Sequence, residues 1–242
     1  MKRSEILQNI KRHCKTEYAQ VDCWVHGISH VQRVVKNGRV LAKAEKLKPK
    51  DQFLVELACW LHDIGRAGEE SGLLFLQSNH AEVSYQKSKE LLQPFARHIG
   101  RESLYKVLQA IREHSLPMLK HPENQIACIL LDADRGAGLN VIGIFTMLVY
   151  LQIVDRPLVS SQTQARAMLP ALTQELIEKN KIEAAIERLE FFKGWYYGFE
   201  KQPLTNARVA PLYTKSAPKL YAKGIKEIET YINTLQQLQN RQ

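Results

Sequence analysis

Several of the eight histidines stand where apolar helical patterns begin or end. His62 closes the run LVELACWL and is followed at once by Asp63, after which the pattern stops at Ile64-Gly65. An apolar helix that carries an imidazole and a carboxylate inward buries a charge, which is costly unless it is paired or metal-bound. Alone, a His-Asp dipeptide reads as a helix end; its company changes that. His30 lies 32 residues upstream in HGISHVQRV, His80 opens the amphipathic stretch NHAEVSYQKSKELL, and His114 ends VLQAIREHSL. Asp132 and Asp134 close the apolar run of ILLDADRGAG. Imidazole and carboxylate together suit Mn, Fe, Co, Ni or Zn. Mg is also a divalent candidate, but it prefers oxygen ligands.

Asp132 and Asp134 have to be separated. Two residues apart on a helix they point about 200° from each other, so one faces the site and the other serves as a buried acceptor orienting a histidine. His26, four residues before His30, shares its helix face and is a candidate contact for a substrate phosphate, as is Arg66 just after HDIG. Arg33 and Lys36 line the same face as His30 and are weaker candidates. Glu69 and Glu70 are candidates for proton transfer or for a solvated loop. His13, His98 and His121 sit in polar segments and read as surface residues. The aromatic run FFKGWYYGF (191–199) has helical spacing and reads as core rather than as a base-stacking platform.

The elements that must position these groups are helical. Apolar residues recur three and four apart, and alternating β-branched runs are nearly absent. Helices are expected at about 3–18, 26–46, 51–64, 80–97, 101–115, 124–135, 138–154, 165–200 and 216–239. The fold class is all-α, a single helical bundle. The 242 residues suit one large domain or two small ones, and no internal repeat or Gly/Ser-rich linker divides them. One domain over 1–242 is the expectation, with a C-terminal helical extension (156–242) packed on the core.

An apolar fraction of 45% and a charged fraction of 24% exclude disorder and collagen-like structure. Thirty-four basic against 25 acidic residues leave a net charge of +9, suited to a polyanionic partner such as a nucleotide or nucleic acid. Cys14, Cys23, Cys59 and Cys128 form no CxxC pair and read as thiols of a reducing compartment. The charged N-terminal stretch has no apolar signal core. Val141–Val154 is too short for a membrane span. The expected location is cytoplasmic.

The order His, His-Asp, Asp on one helical bundle resembles the HD superfamily of metal-dependent phosphohydrolases. His30 ahead of an Arg-Val pair is similar to the first ligand, His62-Asp63 in LHDIGR to the namesake dipeptide, and Asp134 in ADR to the closing ligand. His80 and His114 resemble the histidines that build a second metal in binuclear members. DADR and the late TNARVAP segment look most like small bacterial HD hydrolases acting on nucleotides or related phosphates. In those, DADR is usually followed by an apolar residue and an acid, whereas here Gly136-Ala137 follows. The resemblance covers about 26–150 well and the C-terminal third faintly.

It implies an HD-type metal-binding core over 20–155. It also implies one or two divalent ions on His30, His62, Asp63, His80, His114 and Asp134. Asp63 would handle the proton, and Arg66 and His26 would meet the phosphate. The implied reaction is hydrolysis of a phosphate ester or anhydride by metal-activated water. No P-loop glycine pattern points to phosphoryl transfer instead. Two other classes are carried alongside: a non-catalytic nucleotide-sensing HD domain, and a basic nucleic-acid-binding helical protein, which lacks a helix-turn-helix or RNP-like motif.

Overall fold

The structure is a computed structural model that describes residues 1–19, 27–66, 80–115, 122, 124–150, 153, 159, 161–200 and 210–241. The described residues are helical and contain no strand, an all-α fold as expected. In chain order the helices are α1 (Arg3–Tyr18), α2 (Ile28–Ala44), α3 (Pro49–Leu61), α4 (His80–Leu92), α5 (Ala96–Ile99), α6 (Arg101–Glu113), α7 (Gln125–Gly138), α8 (Val141–Tyr150), α9 (Gln162–Glu178), α10 (Ile182–Tyr197) and α11 (Ala217–Gln239).

Burial follows the spacing. Helix α1 buries Ile6, Ile10, Cys14 and Tyr18, a stripe of period four. Helix α2 buries Val31, Val34, Val35, Gly38, Leu41 and Ala42. Helix α3 starts with Pro49 in its first turn and buries Leu54, Val55 and every residue from Leu57 to Leu61, so it runs through the middle of the bundle. It packs against α1, α2, α6 and α7, and α2 packs against both α3 and α7. The α7 N-terminus is capped by Asn124, whose Oδ1 accepts from the amides of Ile126 (2.9 Å) and Ala127 (3.1 Å). Helix α11 packs on α7, α8 and α10.

Two expected helices are broken. The stretch 165–200 is α9 and α10, separated by Asn180 in the left-handed region (φ 52°). Lys181 N donates to Leu176 O and Asn180 N to Ile177 O, a Schellman closure that asparagine tolerates better than most residues. The stretch 80–97 stops at Leu92, where Pro94 lies in a short 3-10 turn, Gln93–Phe95, before α5. Among the described residues no helix is long and apolar enough to cross a membrane. Cys14, Cys59 and Cys128 are buried free thiols; Cys23 lies outside the described residues.

Candidate metal centre

Four helix ends converge on one place. His30 sits in the first turn of α2, His62 caps the C-terminus of α3, His80 opens α4 and His114 caps the C-terminus of α6. Asp63 follows directly on α3, and Asp134 projects from α7. Between them lie two groups, His30/His62/Asp134 and Asp63/His80/His114, in each of which all the ligand atoms are within 4.8 Å of one another.

Asp63 joins the groups. Its Oδ2 lies 3.5 Å from His62 Nε2 and 3.9 Å from His30 Nε2. Its Oδ1 lies 3.2 Å from His114 Nε2 and 3.8 Å from His80 Nε2. His30 Nε2 is 3.0 Å from Asp134 Oδ1 and 3.4 Å from His62 Nε2. These separations are close to those expected between ligands about 2.1 Å from a common ion. His62 is fully buried and Asp63 is 2% exposed. The Asp134 side chain keeps 27% of its surface, so the site opens on that side.

The main chain sets the imidazoles. His62 Nδ1 donates to Cys59 O at 2.9 Å and His114 Nδ1 to Ile111 O at 2.6 Å, so both rings turn Nε2 inward. Burial pushes the His62 pKa down to about 4, against the pull of Asp63 and Asp134. Its Nε2 therefore carries a lone pair at neutral pH. Burial and the Arg66 charge push His80 down to about 3. For His114 burial works the same way, but the bond to Asp63 outweighs it and the pKa is raised. Asp134, although burial opposes its charge, is held well below the usual carboxylate range by His30 and His62. A neutral buried imidazole beside ionised carboxylates is a donor set for a divalent ion of the Mn-to-Zn series.

Arg66, in the 3-10 turn Ile64–Arg66, is buried. Its Nε donates to Asp63 Oδ1 at 2.8 Å, and a terminal nitrogen donates to His80 Nε2 at 2.9 Å. Gly65 lets that turn lie against α4. A Cβ there would stand 2.6 Å from Ser84 N and 2.7 Å from His80 O, and Gly65 N donates to Ser84 Oγ.

Asp132 departs from expectation. Among the described residues it orients no histidine: its oxygens accept from Tyr213 N (2.9 Å), Thr214 N (2.7 Å) and Thr214 Oγ1 (2.7 Å). The reason is helical geometry: with Asp134 facing the site, Asp132 faces the segment that leads into α11. Asp132→Asn will put an amide NH2 where an acceptor is required, costing about 1–3 kcal/mol of stability by chemical denaturation. Metal content will stay at the wild-type level, and loss of metal without loss of stability would return Asp132 to the site.

Several residues beyond the motif hold the site together. Tyr18 Oη and Cys14 Sγ donate to Trp60 O, at the end of α3. Asn37 Nδ2 donates to Ala133 O at 3.1 Å, tying α2 to the turn of α7 that carries Asp134. Nothing in their local sequence distinguishes them, since each acts through a partner distant in the chain. Arg33, one turn after His30, has a buried Nε with no hydrogen-bond partner among the described residues, and Lys36 is exposed. His26, Glu69, Glu70 and His121 lie outside the described residues. His13 and His98 are exposed. In the aromatic run, Phe192 is buried, and Phe191, Trp195 and Phe199 pack on one another.

The model of the HD domain matches residues 27–137, the stretch that carries every group of this centre. Among solved structures, a protein of Lactobacillus plantarum superposes with a TM-score of 0.60 at 19% identity, covering 100% of both chains. YpgQ of Bacillus subtilis gives a TM-score of 0.52 at 16% identity over 96% of both chains. A predicted HD superfamily hydrolase from an uncultured Thermotogales bacterium is 26% identical, covering 75% of this chain and 92% of its own, with a TM-score of 0.46. No curated protein matches the sequence.

Proposed function

From the match of residues 27–137 to the model of the HD domain, we propose that this protein is a metal-dependent phosphohydrolase. It would cleave a phosphate ester or anhydride of a nucleotide or similar small phosphate. The observation that supports it most is the split carboxylate of Asp63, one oxygen toward His30 and His62 and the other toward His80 and His114. Such a carboxylate would offset the charge of a bound ion and remain beside it to take a proton. His30, His62, Asp63 and Asp134 would hold a divalent ion. Such an ion, when bound, would lower the pKa of water and polarise a phosphoryl oxygen.

The protein's own groups do the rest. Asp63, between the two histidine pairs, is the carboxylate placed to accept a proton from attacking water. The buried bond from His62 to Cys59 O keeps that ring from rotating away. Because Arg66 is engaged by Asp63 and His80, we assign the anion contact to Arg33, one turn from His30, whose buried Nε has no hydrogen-bond partner among the described residues. The net charge of +9 favours an anionic substrate. The nucleotide expectation rests on the resemblance of DADR and TNARVAP to small bacterial HD hydrolases.

The test is a phosphate-release screen across nucleoside mono-, di- and triphosphates, phosphodiesters and sugar phosphates. The protein would be purified without chelator, then stripped and resupplied with Mn, Co, Ni, Zn, Fe or Mg. Release that disappears on stripping and returns with one of the ions is the expected result. Metal binding without hydrolysis of any class would turn the reading toward a nucleotide sensor.

A further inference from the structure

The Arg66 guanidinium is fixed on two of the three groups that would hold a second ion. Its Nε is 2.8 Å from Asp63 Oδ1, and a terminal nitrogen is 2.9 Å from His80 Nε2. A guanidinium offers only donors and stays charged, so His80 Nε2 must be the acceptor. The lone pair that would bind a metal is therefore already committed. Asp63 Oδ1 is shared in the same way between Arg66 and His114. The other group is different: His30 Nε2, His62 Nε2 and Asp134 Oδ1 face one another and Asp63 Oδ2, and among the described residues no arginine or lysine is bonded to His62 or Asp134.

Arg66 is also held where it is. The residue is 5% exposed, its amide donates to Asp63 O at 3.0 Å, and Gly65 is seated against α4 by the bond to Ser84. A divalent ion entering between Asp63, His80 and His114 would meet a positive charge within hydrogen-bond distance of two of its ligands. Ion and guanidinium compete for the same atoms.

We propose that Arg66 is a built-in cation that fills the second metal position, so that the resting protein binds one ion, on His30, His62, Asp134 and the far oxygen of Asp63, and takes a second only by displacing the guanidinium. The inference rests on the metal-dependent reading of the site. It assigns His80 to holding Arg66 rather than to holding metal.

The test is metal stoichiometry, read by equilibrium dialysis against Mn²⁺ with elemental analysis and by titration calorimetry. Wild-type protein is expected to bind one ion, and His80→Ala still one. Arg66→Met, which keeps an unbranched apolar stem and removes every donor, is expected to bind two, with second-ion affinity raised at least about tenfold. Two ions on wild-type protein at comparable affinity, one ion on a folded Arg66→Met, or no ion on His80→Ala would each overturn the proposal. Circular dichroism checks folding. If Arg66→Met does not fold, manganese anomalous scattering from wild-type crystals decides. A single peak at His30/His62/Asp134 with Arg66 still on Asp63 supports the proposal, and a second peak at Asp63/His80/His114 refutes it. Wild-type protein that binds no ion at all would instead remove the proposed function.

Discussion

If the protein hydrolyses phosphates as proposed, Asp63→Asn will reduce phosphate release by on the order of 100-fold or more at saturating Mn²⁺. Loss of residues that merely support metal ligands costs roughly 10–100-fold, and Asp63 stands closer than that. The substitution keeps the shape of the side chain but removes the one charge within 4 Å of four imidazoles and one guanidinium. Removing one partner of a buried ion pair also costs about 3–5 kcal/mol, here because Arg66 loses its carboxylate. The variant is therefore expected to melt earlier, and turnover has to be measured well below that transition. Metal content falls with activity. Near-native turnover and metal content in Asp63→Asn, with circular dichroism unchanged, would remove Asp63 from the centre of the mechanism.

Gly136→Ala will destabilise the protein by about 1–3 kcal/mol, the usual cost of forcing extra atoms into a packed core. By helix propensity alone the change inside α7 would stabilise by up to about 1 kcal/mol. Packing decides against it, because a Cβ at Gly136 would run into the ring of Tyr221. Tyr221 lies on α11 and is buried, so its ring cannot swing into solvent. In a Tyr221→Ala background the cost of Gly136→Ala is expected to vanish, which a double-mutant cycle by denaturant unfolding reads directly. A stabilising Gly136→Ala in the wild-type background would contradict the contact between α7 and α11.

That contact also accounts for the place where this sequence leaves the pattern of the HD hydrolases it resembles. The run from Asp132 to Gly136 serves two clients. Asp134 faces the histidines, while Asp132 binds the backbone at Tyr213 and Thr214. Arg135 donates to Ala210 O and Pro211 O and lies over the rings of Trp195 and Tyr213. Gly136 makes room for Tyr221. A residue bulkier than glycine after DADR would displace α11, so the departure belongs to the attachment of the C-terminal helices and not to Asp134.

By itself, the sequence determined that the protein is all-α and which residue types would meet, because both are local properties. A period of three to four places the apolar stripes of α1 and α2, and an apolar helix that ends on His-Asp announces a charge needing a partner. The break at Asn180 was less legible, since a left-handed residue costs little in an asparagine and interrupts no periodicity. Only the tertiary structure decided how those groups divide: that Asp63 stands between two histidine groups, that Arg66 closes on Asp63 and His80, and that Asp132 turns away from the site. These depend on the relative placement of helix ends separated by tens of residues, and on which face of α7 meets α2 and which meets the segment before α11. Spacing along one helix restricts such faces to a few choices; contact with the other helices selects among them.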